Sequence, residues 1–129
     1  MQNIGIIDYG SGNIFSLLKA FQNLEFKTEV SSNPTRISDF SHLVIPGVGA
    51  FSSAMELLCI RGFIDPIHDA IKRGTPILAI CVGMQILFDS SEAFGHHEGL
   101  GLIKGNVSRI SETDHYGNQL PVPHIGWSE

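Results

Sequence analysis

The chain has 129 residues, a length typical of a single domain. Hydrophobic residues make up 43% of it and charged residues 16%, a balance that excludes an intrinsically disordered protein. The net charge of −5 and the lack of any run of Lys or Arg argue against binding to nucleic acid or to anionic membrane surfaces.

No apolar run reaches the ~18 residues that a membrane-spanning helix needs, and the N-terminus has no signal-peptide pattern. The two cysteines do not make a disulfide framework, and they lack the spacing of a zinc site. We therefore expect a cytoplasmic protein without a metal or another cofactor.

The first part of the chain predicts strands that alternate with helices. A β-type run over residues 3–8 ends in a glycine-rich turn, and apolar residues at helical spacing predict a helix over 14–24. Short strands are predicted at 26–30 and 42–45, with a short helix opening at Pro34 between them.

The rest of the chain continues this pattern and then changes character. The predicted elements are helices at 51–60 and 63–73, a strongly apolar strand at 77–80, a helix at about 83–89, and a hairpin arm at 103–110 before a turn at Gly117-Asn118. Apolar strands separated by helices predict an α/β fold with a mostly parallel sheet and helices on both faces. The chain reads as one domain over 1–129, and it ends without an element to close the sheet, so we expect a fold that is incomplete at its C-terminus.

Cys81 is the candidate nucleophile. It follows the apolar strand at 77–80 and precedes a small-residue turn and a helix, which is the elbow that presents a nucleophile in many hydrolases. Free N–H groups at the start of the helix stabilise a thiolate, and Gly83 permits the sharp turn. The alternative is a buried structural cysteine at a strand end. Cys59 lacks the elbow pattern and is predicted to be a core or helix-face residue.

A second glycine-rich segment follows the strand at 42–45. Gly47 and Gly49 allow backbone N–H groups to point at a ligand, as an oxyanion hole requires, although an ordinary strand-to-helix turn has the same pattern. In a parallel sheet this segment and the elbow lie at the same carboxyl edge, where ligands bind. The loop at 8–13 lacks the third glycine of a dinucleotide site and is not expected to bind a nucleotide.

Cysteine catalysis also needs a base, usually a histidine. Of the six histidines, only His124 lies in a motif-like setting, and the sequence assigns none of them to Cys81.

Taken together, five segments resemble the class I (triad-type) glutamine amidotransferases. They are residues 7–13 (IDYGSGN), 46–51 (PGVGAF), 80–85 (ICVGMQ), 98–102 (EGLGL) and 122–127 (VPHIGW). The Cys-x-Gly-x-Gln elbow marks the superfamily. The first and last segments are similar to the branch that forms the glutaminase subunit of imidazole glycerol phosphate synthase.

The resemblance implies a reaction and roles for particular residues. Cys81 would attack the side-chain amide of glutamine, and ammonia would pass to a barrel-shaped cyclase subunit that completes a heterodimer. The roles implied for the other positions are oxyanion donation by the backbone at Gly47, Val48, Gly49 and Val82, substrate binding by Gln85 and Glu92, and partner contact by Asn13 and Trp127.

This sequence also departs from the family pattern. Ala79 replaces a glycine, Ser128 replaces an asparagine, and Ala93 stands where the family often has a second acidic residue, which affects the expected contact with the amino group of glutamine. The chain corresponds to the N-terminal two-thirds or so of the family's length, and the catalytic histidine and glutamate lie in the remaining part. His124 matches the interface motif. We therefore expect the 129-residue chain alone to be inactive.

Three alternatives stay open. A paralogous amidotransferase would feed ammonia to surface-sugar biosynthesis with the same glutaminase chemistry. A non-catalytic module would keep the fold without the triad. Another hydrolase with a cysteine elbow would act on a different amide.

Overall fold

The computed structural model describes residues 2–111 and 116–117. Its main sheet has four parallel strands in the order β2-β1-β3-β4. The strands are β1 (Ile4–Ile7), β2 (Thr28–Ser31), β3 (His42–Ile45) and β4 (Ile77–Ala79). Because all four run in one direction, the turns after β1, β3 and β4 lie at the same carboxyl edge.

Helices follow these strands at the positions that the sequence predicts, except for the end of the last helix. They are α1 (Ile14–Asn23), a 3-10 helix (Pro34–Asp39), α2 (Phe51–Ile60), α3 (Ile64–Lys72) and α4 (Val82–Gln85). Asn13 caps α1 by accepting the Ser16 N–H at 3.2 Å. Asn33 caps the 3-10 helix in the same way, with Pro34 in its first turn.

Two apolar clusters cover opposite faces of the sheet. Ile6 of β1 packs in one cluster with residues of α1, whereas its neighbour Ile7 packs in the other with residues of α2 and α3. Both side chains are fully buried. Adjacent residues of a strand point to opposite faces, so a strand that is apolar at every position needs cover on both sides. The expected α/β fold with helices on both faces is confirmed.

A smaller sheet follows α4. Its strands are β5 (Phe88–Ser91), β6 (His97–Glu98) and β7 (Ile103–Val107), in the order β6-β5-β7. β5 pairs antiparallel with β6 and parallel with β7. The Asp89 carboxylate accepts the Gly105 N–H at 3.1 Å and ties β5 to β7.

The predicted helix at 83–89 is wrong beyond Gln85. Phe88 and the residues after it form β5, because the backbone there is paired with a later segment: Leu102 N–H donates to Leu87 O at 2.8 Å and Gly99 N–H donates to Asp89 O at 2.8 Å. Such long-range pairing overrides a helical apolar pattern. β7 ends at Val107, earlier than predicted, and the hairpin partner expected after Gly117 lies outside the described residues.

Of the two positions expected for Cys59, core or helix face, the structure shows the second. It lies on α2, and its side chain is exposed. Within the described residues, no helix has the length and apolar character needed to cross a membrane.

Candidate active site

Cys81 occupies a strained turn between β4 and α4. Its backbone has φ 55° and ψ −123°, a conformation that residues with a Cβ rarely adopt. The turn is held by the Cys81 carbonyl, which accepts the N–H groups of Met84 at 2.9 Å and Gln85 at 3.1 Å. The side chain is exposed. The sequence is thus folded into the sharp elbow that the pattern predicted, with the thiol accessible from outside.

The elbow packs directly on the end of β3. Gly83 is buried, and a Cβ at this position would collide with the Ile45 carbonyl oxygen and lie 2.8 Å from that of Pro46. In addition, the Ile80 N–H donates to Ile45 O at 3.0 Å. Glycine is therefore required at position 83 by the close approach of two backbones.

The segment from Pro46 to Gly49 lies beside the elbow. A Cβ on Gly47 would lie 2.6 Å from the Gly83 nitrogen and 3.1 Å from the Val82 carbonyl carbon. Glycine on both sides therefore allows the two backbones to touch. The structure brings together two of the segments that the sequence singled out, at the edge where ligands bind to parallel sheets.

Tyr9 and Ser11 brace this segment from the loop after β1. The Tyr9 hydroxyl donates to Pro46 O at 2.6 Å, and the side chain is completely buried. Burial raises the pKa of Tyr9, so the phenol keeps its proton and remains a donor. The Ser11 hydroxyl donates to Val48 O at 3.1 Å and accepts the Val48 N–H at 3.0 Å.

Sequence reasoning missed both of these residues. The available signal was polar side chains in a turn that follows a buried strand, at the same sheet edge as the glycine segment. Their partners, however, are 37 positions away in the chain, and only the parallel pairing of β1 with β3 brings them together.

The backbone N–H groups expected to stabilise an oxyanion differ in whether they already have an acceptor. The Val48 N–H is bonded to Ser11. The Val82 N–H is in the first turn of α4, where a helix offers it no acceptor. Gly49 is exposed, with φ 83° and room for a side chain.

The two residues expected to bind substrate lie on different elements. Gln85 ends α4, one turn after Cys81, and is half-buried. Glu92 follows β5, and its carboxylate accepts a hydrogen bond from His96 Nδ1 at 2.6 Å. That hydrogen bond raises the pKa of His96.

A family model for class-I glutamine amidotransferases matches residues 5–127. The chain belongs to this family.

Several relatives of this class-I amidotransferase carry the name imidazole glycerol phosphate synthase subunit HisH. The protein from Bacillus licheniformis is 46% identical over 125 residues, which is 97% of this chain and 59% of the relative. The one from Sulfurimonas denitrificans is also 46% identical, over 97% of this chain and 60% of its own length. The Bacillus subtilis protein is 42% identical with 97% and 59% coverage. The chain thus spans about three-fifths of the length of these relatives.

A solved structure agrees with the fold of this amidotransferase. A crystal structure described as a glutamine amidotransferase superimposes with a TM-score of 0.70 at 18% identity, covering 82% of this chain and 56% of the other. At this identity the similarity concerns the fold.

In the described part of this amidotransferase, the histidines have partners or positions that do not involve Cys81. His42 Nδ1 is 2.9 Å from the Ser41 hydroxyl at the start of β3, and His97 donates to the Phe94 carbonyl at 3.2 Å. His68 is on α3. His124 and Trp127 lie outside the described residues.

Proposed function

We propose that this class-I amidotransferase is the glutaminase of an imidazole glycerol phosphate synthase and converts glutamine to glutamate and ammonia. The observation that carries the proposal is Cys81, exposed and strained on an elbow whose backbone touches a glycine-rich segment. The names of the relatives, at 42–46% identity, support the choice of pathway.

The chemistry begins with the thiolate of Cys81. It attacks the side-chain carbonyl carbon of glutamine and forms a tetrahedral intermediate with a negatively charged oxygen. The proposed donors to that oxygen are the N–H groups of Val82, Gly47 and Gly49, whereas the Val48 N–H is bonded to the Ser11 hydroxyl. The C–N bond then breaks as the nitrogen takes a proton, and ammonia leaves behind a glutamyl thioester. Water hydrolyses the thioester, which releases glutamate and regenerates the thiol.

Gln85 and Glu92 are the proposed ligands of the substrate. Glu92 presents a carboxylate, which suits the ammonium group of glutamine, and Gln85 follows the nucleophile by one helical turn. Proton transfer to the leaving nitrogen requires a general acid, which typically contributes ~10²–10⁴-fold.

The ammonia acceptor is proposed to be a cyclase subunit in the cytoplasm. Asn13 and Trp127 are the proposed contacts with it. Asn13 is exposed at the start of α1, at the same sheet edge as the elbow.

Labelling with a glutamine-like diazoketone tests the nucleophile. Incubation of the chain and its cyclase subunit with the diazoketone should give a mass increase that peptide mapping places on Cys81. Cys81→Ala should abolish the adduct, whereas Cys59→Ala, at the other exposed cysteine, should keep it. Labelling of Cys59 instead of Cys81 would contradict the proposed glutaminase. Labelling of Cys81 that an excess of glutamine does not slow would contradict it as well. Transfer of the released nitrogen to a sugar precursor, and not to the cyclase product, would identify the surface-sugar paralogue.

A further inference from the structure

A cavity of ≈ 660 Å³ lies beside the first turn of α1, near the carboxyl ends of β1 and β2. Its lining includes one acidic residue, one amide and several apolar side chains: Asp8, Asn13, Phe15, Leu18, Val30 and Val48. None of the catalytic steps proposed above uses this cavity.

Among the residues that the structure describes, Asp8 is the one charged residue that lines the cavity. It is half-buried, and its backbone N–H donates to Ser31 O at 2.9 Å, which fixes it at the end of β1. In the described part of the chain, its carboxylate has neither a side-chain hydrogen bond nor an ion pair; the Arg61 guanidinium lies against Gly10 instead. A carboxylate without an internal partner that lines an open cavity is available to pair with a cation from outside the chain.

Asp8 is not needed as the N-terminal cap of α1. The Asn13 side chain already caps this helix by accepting the Ser16 N–H at 3.2 Å. An acidic residue is favourable near a helix N-terminus, but here the capping position is filled by an amide.

The rim of the cavity is apolar and open to solvent. Phe15 is 85% exposed and Val48 is 60% exposed, and both line the cavity. Large apolar side chains that cluster at the mouth of a cavity mark protein contact surfaces. A complementary ligand has an apolar stem for the walls and a positive charge for Asp8, which describes the side chain of lysine or arginine.

We propose that this cavity receives a lysine or arginine side chain of the cyclase subunit, with its stem against Phe15 and Leu18 and its cation on Asp8. The inference rests on the proposed function for the identity of the partner. Asn13, proposed above as a partner contact, lines the same cavity. The net charge of −5 also favours a basic contact surface on the partner.

Calorimetric titration of the chain with the cyclase subunit of the same organism tests the proposal. Asp8→Asn should weaken binding by roughly tenfold, because it leaves the partner's cation without its counter-charge. Added salt should weaken the wild-type complex more than the Asp8→Asn complex. The matched control is Asp69→Asn, an exposed residue on α3 at the opposite face of the sheet, which should bind as the wild type does.

A second variant keeps the test decisive if Asp8→Asn fails to fold. Phe15→Ala changes a side chain that is 85% exposed, so folding should be unaffected while binding weakens. Wild-type binding that neither Asp8→Asn nor Phe15→Ala reduces would overturn the cavity proposal alone. An equal loss in Asp8→Asn and Asp69→Asn would overturn it as well, since it would indicate a long-range charge effect. If the wild type does not bind the cyclase at all, both this inference and the proposed partner are wrong.

Discussion

At the scale of single residues, the conformation of Cys81 is the feature in which stability and reactivity oppose each other. A positive φ with ψ −123° is open to glycine and unfavourable for any residue with a Cβ, at a cost of about 1–3 kcal/mol. The close packing of Gly83 on the end of β3 and the hydrogen bond from Ile80 to Ile45 hold the strained turn in place. The result is a thiol exposed at the carboxyl edge of the sheet.

This strain predicts the relative stabilities of two Cys81 variants. Cys81→Gly should be more stable than Cys81→Ala by about 1 kcal/mol, because only glycine relieves the backbone strain. Both variants lack the thiol and should not react with the diazoketone. Urea denaturation followed by circular dichroism measures the difference. Equal midpoints for the two variants would show that the elbow stores no strain.

The pair formed by His96 and Glu92 predicts a pH dependence. The hydrogen bond to Glu92 raises the pKa of His96 above its ordinary value of 6.5. A raised pKa in the folded state gives a stabilisation that is fully present below the pKa of the unfolded chain. The stabilisation is lost as the pH rises through the higher, folded value. Glu92 is also the proposed ligand of the glutamine ammonium, so the charged imidazole and the substrate compete for one carboxylate.

An NMR titration of the His96 ring checks this expectation. Glu92→Gln should lower the pKa of His96, because both the hydrogen bond and the charge attraction are weakened. Glu98→Gln is a graded control, since Glu98 lies 3.9 Å from His96 Nε2 and should have the smaller effect. The reverse order of the two effects would contradict the observed geometry.

At the scale of elements, the contact between the elbow and the end of β3 controls the site. Gly83→Ala places a methyl group against the carbonyl oxygens of Ile45 and Pro46, both of them backbone atoms that cannot move aside locally. We expect a loss of roughly 1–3 kcal/mol in the free energy of unfolding, together with slower labelling of Cys81.

Gly74→Ala is the matched control for the Gly83 change. Gly74 has φ 84° with open space around it, so its substitution measures conformational strain without collision and leaves the elbow untouched. Denaturation midpoints and labelling rates of the two variants together separate steric collision at the elbow from backbone strain at a positive φ. Normal labelling of Gly83→Ala would show that the elbow tolerates displacement from β3.

The elements also show which parts of the fold follow from local sequence. The central strands β1 and β3 were predictable, because a strand covered on both faces is apolar at nearly every position, as in Leu43-Val44-Ile45. The edge strand β2 (Thr28–Ser31) has a mixed polar and apolar sequence and gives a weaker local signal. The strand after α4 was not predictable, because Phe88 and Asp89 owe their conformation to pairing with residues 99–107. In the site, Cys81 and Gly83 were found from a contiguous motif. The brace of Tyr9 and Ser11 depends on contacts between distant segments, which no local pattern encodes.

At the scale of the whole molecule, β4 is an edge strand of the main sheet within residues 2–111. β4 pairs only with β3 among the described strands, and Leu78 at its centre is 52% exposed. An apolar cavity of ≈ 300 Å³ lies alongside, lined in part by Phe21, Pro76 and Leu78. An apolar strand with unpaired backbone groups is a template for another chain.

The 129-residue chain on its own should therefore self-associate. Sedimentation velocity is expected to show a weight-average mass that rises with concentration. Leu78→Lys should reduce this rise, because a charge at the centre of an edge strand opposes pairing with a second copy. Leu24→Lys, which changes the same residue type at a position of even greater exposure at the end of α1, should leave it unchanged. Equal effects of the two substitutions would show that association depends on exposed apolar surface in general and not on the edge of β4. A wild-type chain that stays monomeric would show that the edge of β4 is protected.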